Sequence, residues 1–170
     1  MTTAIHTRDV QHACTVLSSP ALIRLITEID DNGAIPRRGL ARMLSDLTPH
    51  HIGQATELAR SLRLISARPG AGVDLTTSGL ELADVYDATA RWARRHAYPA
   101  PVADFTSRIQ HTLALLAQTP ELGEEGGHHR PVPNGSPSAQ PATDLAGPRD
   151  LLIQWLHANP QAAQRTECAE

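Results

Sequence analysis

Three arginines, Arg37, Arg38 and Arg42, precede a segment carrying Thr48, His50, His51, Gln54 and Glu57, and a fourth arginine, Arg68, follows it. These residue types in this order suit a phosphorylated polymer. A guanidinium presents its donors in a fixed fork and grips a phosphate through paired hydrogen bonds. A Gln amide can pair with the edge of adenine, and a Glu carboxylate can accept from the cytosine amino group. If the segment is helical, His50 lies near its start, where the helix dipole favours a phosphate. Glu57 and Asp46 oppose affinity for a polyanion but can penalise a wrong sequence. The competing description is simpler: four arginines on a solvated basic face, and His50, His51 and Gln54 on a solvated helix side.

Other chemistries lack their residues. There is no H-E-x-x-H, no Gly-rich phosphate loop after a strand, no G-x-S-x-G and no C-x-x-C, so neither an enzyme nor a cofactor is expected. The run Glu124-Glu125-Gly126-Gly127-His128-His129 can chelate a transition metal loosely, but nothing near it supplies rigid geometry. No specific metal site is expected. Cys14 falls on an apolar stripe and reads as a small core residue, whereas Cys168 reads as exposed and incidental. Two cysteines so far apart do not make a disulfide scaffold.

The 170 residues are 41% hydrophobic but include only one Phe, two Tyr and two Trp. The core must therefore be aliphatic, which favours packed helices over an aromatic-rich sandwich. All fifteen cations are Arg, and eighteen acids leave a net charge of −3. Affinity for nucleic acid cannot rest on bulk charge and must come from local placement. Residues 1–100 hold eleven Arg and ten acids, a net of +1, whereas residues 101–170 hold four Arg and eight acids, a net of −4. An anion-binding surface belongs to the first hundred residues. With no apolar run of signal-peptide or membrane-spanning length, a cytoplasmic protein without a membrane partner is expected.

The elements that must position these residues follow from periodicity and punctuation. Val10, Ala13, Cys14 and Leu17 recur at helical spacing, with Thr7 as a candidate cap. Ser19-Pro20 restarts a helix with the stripe Leu22, Leu25, Ile26 and Ile29, and Gly33 ends it. A third helix is predicted from about Pro36 to Asp46, burying Leu40, Met43 and Leu44. Thr48-Pro49 then caps a fourth, from about 49 to 62, burying Ile52, Ala55, Ala59 and Leu62. Two short helices joined by a tight turn have the spacing of a helix-turn-helix, which generic helical hairpins share. Leu64–Arg68 and Val73–Leu75 read as strands around the turn Pro69-Gly70-Ala71-Gly72. A long helix from about Thr77 to His96 follows, with a seam of Leu82, Val85, Tyr86, Thr89 and Trp92, about 30 Å in length. A further amphipathic helix uses Val102, Phe105, Ile109, Leu113 and Leu116.

The expected fold is mainly α with a small two-stranded β-wing: a winged helix-turn-helix in residues 1–97, then a further dimerisation helix in 98–118. Residues 119–148 contain six Pro and five Gly, too little apolar material to offset ordering entropy, and read as a linker. Residues 149–159 form a short amphipathic helix with Leu151, Leu152, Trp155 and Leu156 on one face, and 160–170 a loose tail.

Residues 9 to 97 resemble the HxlR-type winged helix-turn-helix regulators of bacteria and, more distantly, the MarR type. Leu75-Thr76-Thr77-Ser78-Gly79-Leu80-Glu81-Leu82 fits the family's L-T-x-x-G-x-x-L leaving the wing, with Val85, Trp92 and His96 at the family's spacing. Leu47-Thr48-Pro49 opens the recognition helix, Leu64-Ile65 leads into the wing, and Pro36-Arg37-Arg38 matches the family's P-R-R. The usual Lys and Trp are missing at Ser18-Ser19-Pro20-Ala21, the wing is shorter, and the recognition helix is poor in cations. His6-Thr7-Arg8 has no thiol where some members carry a sensing Cys, so no sensing chemistry carries over. The resemblance implies a homodimeric regulator that binds double-stranded DNA.

Tyr86, Trp92, Phe105, Ile109, Leu113 and Leu116 offer more apolar surface than about 100 residues need, and two-fold pairing would bury it and set two recognition helices about one DNA turn apart. A monomer in which the linker folds back and Trp155 covers that surface is the alternative. A small-molecule effector is compatible with this build, with no residue that identifies it. The competing function is a winged-helix adapter without DNA binding, its Trp155 helix serving as an arm to a protein partner.

Overall fold

The computed structural model describes residues 5–118 and 144–164. Those residues form seven α-helices, one 3-10 turn and one two-stranded antiparallel sheet, an order compatible with a winged helix. Helix α1 spans Thr7–Leu17 and α2 spans Pro20–Asn32. The cap of α1 is His6, not Thr7. The His6 amide donates to the Asp9 carboxylate at 3.0 Å, which satisfies a backbone donor that α1 leaves free. Ser19 caps α2 with Pro20 in the first turn, and Gly33 ends it with φ +73°.

Helix α3, Arg37–Met43, is shorter than predicted, because the backbone turns at Leu44 (φ −101°, ψ 47°) and Leu44 drops into the core. Helix α4 is Pro49–Ser61. Strands β1 (Ile65–Arg68) and β2 (Gly72–Leu75) pair Ile65 with Leu75, Ser66 with Asp74, Ala67 with Val73 and Arg68 with Gly72. A third chain segment joins them. Ile35 donates to the Val73 carbonyl at 2.9 Å and accepts from the Val73 amide at 2.8 Å, an isolated antiparallel bridge that periodicity does not reveal.

Helix α5 (Thr77–Arg95) is the spine. Its first turn crosses the backbone entering β1. A Cβ at Gly79 would collide with the Leu64 carbonyl, which accounts for a glycine there. Helix α6 (Phe105–Gln118) packs on both α5 and α1. The buried Tyr86 hydroxyl donates to the Leu17 carbonyl at 2.7 Å, and Gln110 donates to the Ser18 carbonyl at 2.8 Å, so the α1–α2 junction is clamped from two helices. Burial also pushes the Cys14 thiol up to about 12, leaving it protonated within the core.

This packing corrects the expected pairing surface. Tyr86, Trp92, Ile109, Leu113 and Leu116 are all buried within the single chain, because α6 folds back over α1 and α5 and covers the seam. The Trp92 ring meets His96 at 4.9 Å and Tyr98 at 5.7 Å between centroids. Of the six, only Phe105 reaches the surface, 36% exposed. Val102, expected on the same stripe, precedes the helix and is 93% exposed. Asp104 accepts from the Ser107 amide at 2.9 Å, so the helix starts after Val102.

Helix α7 (Ala146–Ala158) and a 3-10 turn (Pro160–Ala162) complete the chain's described part. The helix begins within the stretch read as linker, and Ala162 of the predicted tail is buried. Residues 119–143 of that stretch, which include Glu124–His129, and Cys168 lie outside the described residues. The segment runs antiparallel to α5. Asp144 lies 3.3 Å from His96 and 3.9 Å from Arg95 at one end. At the other end the Trp155 indole donates to the Ser78 carbonyl at 2.9 Å, and the Ser78 hydroxyl donates to Asn159 at 2.6 Å. Asn159 is itself buried and donates to the Trp155 carbonyl at 2.9 Å. Leu151, expected on the inward face, is instead 40% exposed, while Pro148, Leu152, Trp155 and Leu156 face in.

Removing a buried indole leaves a cavity and loses its hydrogen bond to the Ser78 carbonyl. Trp155→Ala is therefore expected to cost about 3–5 kcal/mol in urea unfolding monitored by circular dichroism, and Leu151→Ala about 0.5 kcal/mol or less. Equal, small losses would show that α7 does not dock as described.

Candidate nucleic-acid interface

Helix α4 is held by one face and bare on the other. Thr48 accepts from the His51 amide at 3.2 Å and Pro49 fills the first turn, where its missing N–H costs nothing. Ile52, Ala55 and Ala59 are buried, and α4 packs on α2. Thr48, His50, His51, Gly53, Gln54, Glu57 and Ser61 are all exposed, as the helical spacing requires once the apolar stripe faces in. No atom lies within 4 Å of a Cβ placed on Gly53, so the chain itself supplies no close approach there. Gly53 lowers the relief of the outer face. A concavity of about 460 Å3, lined by His51, Gln54, Leu47 and Pro20 among others, runs between α4 and the start of α2.

Both acids expected to weaken anion binding are paired. The Arg24 guanidinium grips the Asp46 carboxylate at 3.1 and 3.2 Å and reaches Glu28 at 3.3 Å. The hydrogen bonds from Arg24 hold the Asp46 carboxyl below the usual carboxylate range. Arg24 lies on α2 and Asp46 in the α3–α4 turn, so this fork also fastens the turn to the helix beneath. Glu57 is met by Arg60 at 2.9 Å one turn along α4. Such an exposed pair contributes about 0.2–0.5 kcal/mol, little enough to open for a base. Neither Arg24 nor Arg60 was among the sequence-predicted site residues, although the spacing of Glu57 and Arg60 could have revealed the second pair.

Arg37 and Arg38 open α3 and Arg42 lies in its last turn, all three exposed. Arg68 ends β1, also exposed. None of the four makes an ion pair among the described residues. The structure brings two of them around one hollow of about 430 Å3 between the start of α3 and the hairpin turn, lined by Arg37 and Arg68 with Pro36, Pro69 and the turn glycines.

That approach depends on Gly72. Its φ is +88°, and a Cβ there would stand 2.6 Å from the Ile35 carbonyl oxygen and 2.9 Å from the Pro36 nitrogen. Only a glycine accepts both the left-handed backbone and the neighbouring chain. Gly70 shares the left-handed conformation (φ +81°) but meets nothing within 4 Å.

Among the described residues no group of three or more His, Cys, Asp or Glu is placed to hold a metal ion, and no helix is long and apolar enough to cross a membrane. No protein-family model, curated protein or solved structure matches the chain.

The two glycines separate backbone strain from steric closure. Gly70→Ala should cost about 1–2 kcal/mol, the penalty for a side chain in the left-handed region. Gly72→Ala adds a collision with the Ile35–Pro36 backbone and should cost about 2–5 kcal/mol in thermal unfolding. Equal losses at the two sites would contradict the Ile35–Val73 bridge.

Proposed function

We propose that this chain is a sequence-specific transcriptional regulator of the winged helix-turn-helix type that binds double-stranded DNA, with α4 as its recognition helix in the major groove. The observation that carries the reading is the bare face of α4, flanked by four arginines without acidic partners. The hydrogen-bonding side chains on that face, His50, His51 and Gln54, are of the kind that read base edges, and Glu57 joins them once it leaves Arg60. Arg37, Arg38, Arg42 and Arg68 contact phosphates and fix the register of α4 without reading sequence. The likeness of residues 9–97 to HxlR-type regulators points the same way.

The docked Trp155 helix fits the monomeric alternative; a homodimer rests on the family resemblance alone. Its pairing face is not the seam first assigned to it, since five of those six side chains lie in the core of one chain. The adapter reading needs the Trp155 helix as a free arm, and that helix is buried against α5. DNA binding is therefore favoured over the adapter.

Fluorescence anisotropy with a duplex from the gene's own upstream region tests the proposal. With one phosphate for each of the four arginines, the slope of log affinity against log salt is expected to be about −4 per protomer, and about −3 if two of them share one. Arg38→Ala combined with Arg42→Ala should lower its magnitude by about 2 and weaken all duplexes alike. Gln54→Ala should instead relax preference at one base position, by about 1–3 kcal/mol. No binding at low salt would overturn the regulator and favour the adapter.

A further inference from the structure

We infer that the hollow between the start of α3 and the hairpin turn is a single-phosphate site, in which Arg37 and Arg68 hold the same phosphate group. The inference rests on the DNA reading only for where that phosphate comes from.

The geometry begins at the Ile35–Val73 bridge. Arg68 is the ladder partner of Gly72, and the backbone of Ile35 and Pro36 lies directly against Gly72 because no side chain intervenes. Arg37 is the next residue after Pro36. Arg37 and Arg68 are therefore carried by the two chain segments that flank β2, the first held to it by the two Ile35–Val73 backbone hydrogen bonds and the second by the β1–β2 ladder, and both residues line one hollow. Pro36 precedes Arg37 and Pro69 follows Arg68. Each proline fixes its own φ, which stiffens the backbone on both sides.

The charge is uncompensated. No carboxylate lines the hollow, and its other walls are prolines, Ala67 and glycine backbone. With no acid in the lining, the two arginines favour an anion that can take donors from both. A tetrahedral phosphate offers oxygens in enough directions for two forks at once. The volume of about 430 Å3 exceeds that of ten waters at about 30 Å3 each. That leaves room for a phosphate with its attached sugar. Arg38 and Arg42 do not line this hollow; they serve other phosphates.

The shared chemistry is a phosphate oxyanion, and two sources can supply it: the backbone of a duplex, or the monoester of a small molecule. The test uses the full chain and the variants Arg37→Gln, Arg68→Gln and the double variant. Both side chains are exposed, and thermal unfolding checks that the variants keep their fold. In the first arm, inorganic phosphate and ribose 5-phosphate are titrated at constant ionic strength while the arginine Nε–Hε signals are followed by NMR. The expected result is that Arg37 and Arg68 respond along one saturating curve, that Arg38 and Arg42 do not, and that Arg37→Gln abolishes the Arg68 response.

In the second arm, the salt slope of duplex binding is measured. One shared phosphate predicts that the double variant loses about 1 from the slope, because one neutralised phosphate is lost. Two separate phosphates predict a loss of about 2, and that result overturns the shared site. A joint phosphate response without duplex binding keeps the site, assigns it to a monoester and removes the DNA reading. Independent responses, or none to phosphate in the first arm, overturn the site even if the duplex binds.

Discussion

Two backbone hydrogen bonds between Ile35 and Val73 hold the hairpin against the helical part of the molecule. A two-stranded hairpin with four residues per strand is marginal by itself in water. The bridge supplies a third backbone partner and brings Val73 into the core. Gly72 permits it, because any Cβ there would occupy the space of the Ile35 carbonyl. Everything proposed for the charged surface follows from this closure. It sets β2 beside the segment that leads into α3, with β1 on its far side, and leaves the outer side of α4 uncovered by the hairpin.

Helix α5 plays the complementary part behind that surface. It packs on α2, α6 and α7, and its large apolar residues, the half-exposed Leu80 apart, are consumed within one chain. Asn159 and Gln161 extend the brace forward: Gln161 donates to the Leu62 carbonyl at 3.2 Å, at the C-terminal end of α4. The candidate recognition helix is thus tied at its start by Thr48, along its inner face by α2, and at its end by the C-terminal segment. Such a helix presents its outer side chains from a fixed base, as readout of base edges requires.

Much of the fold was legible because its signals are local. Ser19-Pro20 and Thr48-Pro49 mark helix starts through cap and first-turn chemistry, Gly33 marks an end, and Pro69-Gly70 marks the hairpin. The outward set on α4 followed from periodicity alone. Contacts between distant segments were not legible. A single bridging residue such as Ile35 has no period, and the Arg24–Asp46 fork joins residues on separate elements. Trp155 and Tyr86 are apolar enough for an interface or for a core, and sequence cannot choose, since burial depends on where α6 and α7 turn back. Val102 and Leu151 show the same limit at smaller scale, where a helix start and a helix rotation decided exposure. At the candidate site the arginines were legible as types, but that Arg37 and Arg68 share a hollow was not.

The electrostatic picture is local in the same sense. A chain of net charge −3 gains nothing from bulk attraction to a polyanion, so a groove-binding face must be one where acids are neutralised by their own arginines while other arginines stay unpaired. Asp46 and Glu57 meet the first condition; Arg37, Arg38, Arg42 and Arg68 meet the second. The most direct measurement is chemical-shift mapping of the full chain with a short mixed-sequence duplex at low salt. The regulator reading predicts that perturbed amides cluster on the outer side of α4, the start of α3 and the hairpin turn, with α6 and α7 unchanged. Perturbations centred on α6 or α7, or none anywhere, would contradict it.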